Sequence, residues 1–397
     1  MKRILPVVAL LLAVACGNQA ATATGAGGPV IEVASEFPLV GPFSYPQIDR
    51  AIDVAIRQHP TVDGYRLVHV TLDDSLAGFW NEDRMIQNIR RAVGESAIAA
   101  VIGPWTSQQA QFLIPQTAPA GLAVISPSNT LDCLTDPAAP CLAYPRPPNA
   151  PINYFRVAAR DSRGAQAAAD FAVRKLGISR FAVFTNPVAM TAPPLSAAFA
   201  GEVVAAGGAV VYRHDLDPLA ESFAPLLRDA YAAGAQAIYM VAGIGAVQAC
   251  GIRQQMKGIF PASAYVLSDD RLADDACIGY AGLAQASDDH LVLTIATGQP
   301  AVIPVALQGL KAGNGYPIYT FSGYDCARII IDAIDRAIRA NGGKIPTREE
   351  VRQAIAATSN FRGITGTYSF DANGDVVNPT FSFYTVKQGS WAFWRNP

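Results

Sequence analysis

Short apolar runs alternate with amphipathic helical patterns along the first part of the chain. This pattern predicts strands at 31–34, 68–72 and 97–102, and helices with apolar positions at 48–56 and 85–93. The third strand is apolar throughout, which is typical of a strand that helices cover on both faces of a sheet. The alternation therefore predicts a parallel sheet with helices on both sides.

The same alternation restarts after the proline-rich segment 145–151, beginning with a strand at 155–157. The pattern then predicts helices from about 163, at 195–206, at 223–233 and up to 256, and strands at 181–184, 209–212, 237–241 and 265–267. Residues 97–126 and 237–270 both contain a strand, a glycine-containing turn, a helix and a strand with a polar end. We interpret them as parts of two similar α/β lobes, each with a binding edge at the carboxyl ends of its strands.

The last part of the chain adds two predicted helices, one that opens at Tyr324–Asp325 and one at 349–357. A turn at 372–375 follows, and the pattern predicts a final strand at 380–386.

The first residues resemble an export signal. Lys2 and Arg3 precede an apolar run that ends at Ala15, which is too short to span a bilayer. Small residues before Cys16 resemble the lipobox of bacterial lipoproteins, although Ala13 stands where leucine is usual. We expect a signal peptide at 1–15, lipidation of Cys16 and a flexible tether at 16–29; the alternative is an ordinary secretory signal cleaved nearby.

Composition narrows the class of protein further. The chain has 397 residues, enough for two domains, of which 51% are hydrophobic and 16% charged, with a formal net charge of -2. This low charge density argues against a nucleic-acid partner. No later apolar stretch has the length of a transmembrane helix, so we expect a protein that is held to the membrane only by its N-terminal lipid. We also expect it to be a monomer.

Six cysteines fit an oxidising compartment. Cys133 and Cys141 bracket a proline-rich loop and form one candidate disulfide. Cys250 and Cys277 could form another, which leaves Cys326 buried on a helix. The alternative is that these five are unpaired small hydrophobic residues.

Enzyme motifs are incomplete or missing. Gly243 and Gly245 follow a strand and Asp269 ends the next one, as in the fingerprint of an NAD-dependent dehydrogenase, but Gln248 occupies the third glycine position. There is no Gly-x-Ser-x-Gly or His-Glu-x-x-His motif, and the four histidines are scattered. We therefore expect no catalytic residue, no metal and no cofactor.

A set of short motifs occurs in an ordered series along the chain: Val40-Gly41-Pro42, Asp73-Asp74, Val101-Ile102-Gly103-Pro104 with Ser107, Ile125 to Thr130, Phe155-Arg156 with Asp161, Tyr324 to Ala327, and Gly366 to Asp371 with Gly374. In order and spacing they resemble the type I periplasmic solute-binding proteins of the leucine/isoleucine/valine-binding group.

This resemblance implies a fold of two doubly wound parallel-sheet lobes joined by a three-strand hinge. The chain would cross between the lobes near Val157, Thr294 and Thr380. Lobe I would then comprise 30–157 and 294–379, and lobe II would comprise 158–293 and 380–397.

The resemblance also implies the ligand-binding residues of lobe I. Ser107, at the start of a helix, would bind the carboxylate of an amino acid, Ser128 would offer backbone groups, and Thr130 would contact both the amino and carboxylate groups. From the residues alone, Ser107 could instead be a helix N-cap, and 128–130 could be a turn that Asn129 stabilises.

In lobe II the resemblance places an acid for the ammonium at Asp269. Asp270 could serve instead, and Asp269 could simply cap the following helix. Tyr45, Phe43 and Trp105 are candidates for an apolar wall, although aromatic residues beside a binding edge are also common in cores.

Two departures from the family pattern indicate a rebuilt lobe II pocket: Gly243 replaces a frequent aromatic, and 186–190 replaces a Tyr-Gly step. A ligand bulkier than leucine is therefore possible. The implied partner is the permease of an ABC transporter, which would recognise the lobes once they have closed on the solute. The alternatives are a sensory lipoprotein of the same fold and a receptor for a small amide or carboxylate.

Overall fold

The computed structural model describes residues 29–41, 44–141, 145–187, 189–217, 219–241, 246–273, 275–283 and 286–397. The predicted signal peptide and Cys16 lie outside these residues. Ten α-helices are found among them: α1 Pro46–Gln58, α2 Glu82–Gly94, α3 Ser107–Thr117, α4 Asp161–Arg174, α5 Ala192–Ala205, α6 Ala224–Ala232, α7 Ala246–Gln255, α8 Asp275–Tyr280, α9 Thr320–Ala340 and α10 Arg348–Ala356.

The same residues contain seventeen strands. They are β1 Val30–Phe37, β2 Thr61–Val62, β3 Tyr65–Asp73, β4 Ser75–Leu76, β5 Phe79–Trp80, β6 Ile98–Ile102, β7 Ala123–Ser126, β8 Tyr154–Arg156, β9 Arg180–Thr185, β10 Ala209–Asp215, β11 Ala237–Met240, β12 Tyr265–Asp269, β13 Asp288–Ile295, β14 Phe361–Arg362, β15 Thr367–Tyr368, β16 Ser382–Lys387 and β17 Ser390–Arg395.

The strands form two main sheets, one in each lobe. The first has the order β2-β3-β1-β6-β7-β8, and the second has the order β10-β9-β11-β12-β13-β16-β17. Strands β3, β1, β6, β7 and β8 are parallel, as are β10, β9, β11, β12 and β13. This arrangement confirms the predicted α/β fold with two parallel-sheet lobes.

The chain passes between the sheets three times: from β8 to α4, after β13, and from β15 to β16. The first two connecting segments are hydrogen-bonded to each other. The N–H of Ala159, which follows β8, donates to the carbonyl of Ala296, which follows β13, at 2.8 Å. The carboxyl ends of the parallel strands of both sheets therefore border one cleft.

The prediction of a final strand at 380–386 is wrong in one respect. β16 is followed by a further antiparallel strand, β17, which completes the edge of the second sheet. The connection uses Gln388 (φ 50°) and Gly389 (φ 74°), both in the left-handed region that a tight hairpin turn requires. The helix predicted to open at Tyr324 also begins earlier, at Thr320.

Helix α9 brings the last part of the chain back to the first lobe, where it packs against α1. The contact depends on Gly323, because a Cβ atom at this position would lie 2.7 Å from Cγ2 of Ile48. α9 is the longest helix described, but no helix in the described ranges is both long and apolar enough to cross a membrane.

Two disulfides join the cysteine pairs predicted from the sequence. Cys133 is bonded to Cys141, with their Cα atoms 5.6 Å apart, and Cys250 is bonded to Cys277, at 5.3 Å. Cys326 is a buried free thiol on α9.

Candidate ligand-binding site

A cavity of about 680 Å³ lies in the cleft between the two lobes. This volume falls within the range of about 300–1,000 Å³ that is usual for small-molecule sites. The first lobe contributes Tyr45, Trp105, Thr106, Ser107, Gln108, Gln111, Ser128, Thr130, Leu131, Pro140, Cys141, Ile318 and Tyr319, and the second contributes Ala189, Met190, Thr191, Asp270, Arg271 and Ala273.

The N-terminus of α3 faces this cavity and is closed by a capping box. The Thr106 hydroxyl accepts from the N–H of Gln109 at 3.2 Å, and Oε1 of Gln109 accepts from the N–H of Thr106 at 2.9 Å. Thr106 is therefore the N-cap, and the alternative of Ser107 as cap is wrong. Among the described residues nothing accepts from the N–H groups of Ser107 and Gln108, which lie at the positive end of the helix dipole.

The hydroxyl of Ser107 is oriented by two neighbouring amides. Its oxygen accepts from the N–H of Thr130 and from that of Leu131, each at 3.2 Å. Because two donors occupy the lone pairs, the hydroxyl proton remains to be donated elsewhere. Together with the two amides of the helix N-terminus, it forms a donor set suited to a carboxylate.

A buried carboxyl supports this helix terminus from behind. Asp74 accepts from the side-chain amide of Gln109, and burial raises its pKa from 3.8 to about 7, although the bond from Gln109 acts in the opposite direction. Gly103, which leads into the site, has a φ of +132°, and a Cβ atom there would lie 2.5 Å from the carbonyl oxygen of Glu36. The close approach of these backbones therefore requires glycine.

Ser128 and Thr130 both line the cavity, as the family resemblance implies. The Ser128 hydroxyl donates to the carbonyl of Trp105 at 2.8 Å, and the side-chain amide of Asn129 donates to the same carbonyl at 2.9 Å. The expected Asn129-stabilised turn is thus present as well, and it presents Ser128 and Thr130 to the cleft.

Aromatic rings form one wall of the cavity. Tyr45 stacks on Trp105 with the ring centroids 3.4 Å apart, and Trp105 makes an edge contact with Tyr319 at 5.8 Å. Phe43, the other aromatic candidate, lies outside the described residues.

The acidic residues of the second lobe are arranged differently from the expectation. The carboxylate of Asp269 accepts from the N–H of Arg271 at 3.0 Å and lies 3.0 Å from its Nη1, so it caps the following turn and pairs with this guanidinium. Asp269 does not line the cavity, whereas Asp270 does. Asp269 instead lines a small adjoining space, which it shares with Thr130 and Asp270. Of the two acids, Asp270 is therefore the one at the wall of the larger cavity.

The second-lobe wall carries an excess of negative charge. Three carboxyls, those of Asp161, Asp269 and Asp270, surround the single guanidinium of Arg271, whose Nη2 pairs with Asp161. Burial raises the pKa of Asp270 from 3.8 to about 7; Arg271 and a hydrogen bond from Tyr319 oppose this shift, and the neighbouring carboxylates of Asp269 and Asp161 add to it. A cationic group brought to Asp270 would relieve both the burial and the repulsion.

The rebuilt segment of lobe II contributes Ala189, Met190 and Thr191 to the cavity, whereas Gly243 lies outside the described residues. Within the described ranges there is no cluster of three or more His, Cys, Asp or Glu that could hold a metal ion.

Sequence reasoning did not find Arg271 or Tyr319. Arg271 directly follows Asp269 and Asp270, and a positive charge next to two acids was the signal that could have indicated an ion pair at the site. Tyr319 precedes α9 in a segment that only the fold returns to the first lobe.

The sequence profile of the periplasmic binding protein family matches residues 31–258. The chain therefore belongs to the periplasmic binding protein family. Members of this family bind small solutes outside the cytoplasm, without catalysis, and work with the permeases of ABC transporters. No curated protein sequence matches the chain.

Solved structures show the same fold over nearly the whole chain. A leucine-binding protein, LivK, of Thermotoga maritima is 25% identical, with a TM-score of 0.68 over 92% of this chain and 98% of that one. LivJ of Streptococcus pneumoniae, a branched-chain amino acid transporter protein in complex with isoleucine, is 19% identical, with a TM-score of 0.67 over 93% and 100% of the two chains. A solute-binding protein of Rhodopseudomonas palustris in complex with 3,4-dihydroxybenzoic acid is 19% identical, with a TM-score of 0.64 over 93% and 97%.

Proposed function

We propose that the protein is the amino-acid receptor of an ABC transporter and that it binds its ligand in the cavity between the lobes. The observation that carries this proposal is the pairing of unlike groups across one cavity. Ser107 places hydrogen-bond donors on one side of the cavity, where a carboxylate would bind, and Asp270 places a carboxyl on the other, where an ammonium would bind. A zwitterion with both charges on one carbon needs this combination, whereas a plain carboxylic acid needs only the first half.

Binding would begin on the first lobe and be completed by the second. The carboxylate would accept from the Ser107 hydroxyl and from the amides of Ser107 and Gln108, with Thr130 beside them. Asp270 and the small residues around it would be reached only when the lobes close, so the ligand would favour the closed form by the free energy of these second contacts.

The hinge supports such a division of roles. Near the first passage between the sheets, Asp132 accepts from the hydroxyl of Ser162 at 2.5 Å and from its N–H at 3.1 Å. These bonds join the two lobes beside the first passage, so they would hold the lobes together there while the ligand contacts elsewhere in the cleft change. We assign lobe I to 30–157 with 294–379 and lobe II to 158–293 with 380–397, and we propose that Cys16 carries a lipid anchor.

Isothermal calorimetry with the purified mature chain tests this proposal. The panel contains amino acids, their amides, and carboxylic acids without an amino group, benzoates included. We expect amino acids to bind and both Ser107→Ala and Asp270→Asn to weaken them by about 10- to 100-fold, the value of a hydrogen bond to a charged group.

The control is Ser222→Ala, an exposed serine of the second lobe outside the cavity, which should bind as the unchanged protein does. Tight binding of acids that lack an amino group, unaffected by Asp270→Asn, would show that the ligand is a carboxylate and that the amino-acid proposal is wrong.

A further inference from the structure

We propose that the ligand is an amino acid with an aromatic side chain, rather than a branched aliphatic one. This inference rests on the proposed function, because it takes the Ser107 and Asp270 ends of the cavity as the sites of the carboxylate and the ammonium. What remains of the cavity must then hold the side chain. Its lining differs from that of a small aliphatic pocket in three respects.

The first respect is the aromatic wall. Tyr45 and Trp105 lie face to face, and Tyr319 meets the edge of Trp105, so three rings act as one rigid surface on the first lobe. All three residues line the cavity, so this surface is presented to the ligand. Such faces and edges attract another ring through its quadrupole in addition to burying apolar area, whereas a branched aliphatic chain gains from the burial alone.

The second respect is the opposite wall. In the second lobe Ala189, Ala273 and Thr191 bring only small side chains to the cavity. Between them Met190 is 40% exposed, which is unusual for a methionine, and its flexible thioether lines the cavity. Sulfur makes favourable contacts with aromatic rings, so Met190 can cover the far side of a ring held against the first lobe.

The third respect is the size of the space. A cavity of about 680 Å³ lies in the middle of the range found for drug-sized ligands, which are larger than leucine. A large cavity alone would also accept water around a small ligand. With rings on one side and the small side chains of Ala189, Thr191 and Ala273 on the other, however, the cavity has room for a ring placed against the aromatic wall.

Calorimetry on the mature chain with phenylalanine, tyrosine and tryptophan, against leucine, isoleucine and valine, tests the inference. We expect the best aromatic amino acid to bind about tenfold more tightly than the best aliphatic one, the ratio that an aromatic contact contributes. In Trp105→Leu this ratio should fall to about one while leucine is still bound. Tyr45→Leu is a second variant with the same expectation, in case the first does not fold.

The matched control is Phe112→Leu, since Phe112 is a 46% exposed ring on α3 outside the cavity lining, and the ratio there should not change. If aliphatic amino acids bind as tightly as aromatic ones, the inference is wrong and the proposed function stands. If phenylpropionate, which has no amino group, binds as tightly as phenylalanine, the proposed function is wrong, and the inference falls with it.

Discussion

The hydroxyl of Tyr319 donates a 2.5 Å hydrogen bond to Oδ2 of Asp270, and this bond joins the two lobes across the cleft. Tyr319 belongs to the segment just before α9, and Asp270 follows β12. The backbone of Tyr319 has a φ of 64°, a left-handed conformation that costs a non-glycine residue about 1–2 kcal/mol. Strain of this kind persists where surrounding contacts fix a residue, and it is concentrated at ligand clamps and similar functional sites.

Removal of this hydroxyl tests its role in binding. Tyr319→Phe deletes a hydrogen bond that lowers the pKa of Asp270, so a smaller fraction of Asp270 would be charged at neutral pH. We expect amino-acid affinity at pH 7 to fall by about three- to tenfold, which corresponds to the loss of one hydrogen bond. Tyr316→Phe is the matched control, because the Tyr316 hydroxyl contacts the carbonyl of Gln308 outside the cavity. Equal affinities in the two variants would contradict this role.

Replacement by asparagine should lower stability at Asp269 and ligand affinity at its neighbour Asp270. Asp269→Asn removes one of the two carboxylates that pair with Arg271, so we expect the free energy of unfolding to fall by about 1–3 kcal/mol, with little change in affinity. Asp270→Asn should instead reduce affinity and leave stability near that of the unchanged protein. Denaturant unfolding and calorimetry on both variants measure the two quantities; a loss of binding confined to Asp269→Asn would reverse the assignment.

Amino-acid affinity should rise with pH. Because burial raises the pKa of Asp270 to about 7, most of its carboxyl groups are neutral at pH 5 and cannot balance an ammonium. We expect affinity to increase up to about tenfold per pH unit between about pH 5 and about pH 7, and then to level off. Asp270→Asn should remove this dependence, and a flat profile in the unchanged protein would show that Asp270 does not meet the ligand.

Stability of the ligand-free protein should change with pH in the other direction. Asp270 and Asp74, with pKa values raised from 3.8 to about 7, keep their protons in the folded state over a range where the unfolded chain has lost them. The free energy of unfolding contributed by both groups therefore falls as pH rises from about 4 to about 7. Denaturant unfolding across this range measures the slope, and Asp74→Asn should remove the part that Asp74 contributes. An identical slope in Asp74→Asn and the unchanged protein would contradict the raised pKa of Asp74.

The two disulfides should differ in their effect on binding. Their loops span 8 and 27 residues, so loss of either should cost about 2.5 and about 3.5 kcal/mol respectively by chain entropy. Replacement of both Cys133 and Cys141 by serine should also weaken ligand binding, since Cys141 and Pro140 line the cavity. The same change at Cys250 and Cys277, outside that lining, should leave affinity unchanged. Calorimetry on the two double variants measures these affinities. Equal losses in both would show that the Cys133–Cys141 loop does not contribute to the binding site.

Much of the fold follows from the periodicity of the sequence, because buried parallel strands are apolar runs that local composition reveals. The omission of β17 has a physical reason: its residues mix exposed and buried rings, and the turn before it is Gln388-Gly389 rather than the more recognisable Asn-Gly. An X-Gly step between two alternating segments was the signal that could have shown the hairpin.

The site was less accessible to sequence reasoning in the second lobe than in the first. Ser107, Ser128 and Thr130 follow neighbouring strands of one sheet, so their convergence can be inferred from the strand order. Which of Asp269 and Asp270 faces the cleft depends on where β12 ends, and strand ends are uncertain by more than the one residue that decides it. The pairing of Arg271 with Asp161 is a contact over 110 positions and is set by packing alone.

The packing of Gly323 against Ile48 has a consequence for the order of assembly. α1 is among the first elements to be synthesised, and its covering helix α9 follows only after the entire parallel part of the second sheet. The first lobe is thus completed only after the parallel part of the second sheet has been synthesised, through contacts such as that between Gly323 and Ile48. Until α9 has been synthesised, the apolar face of α1 has no such cover, and exposed apolar surface of this kind makes a partly folded chain prone to aggregate.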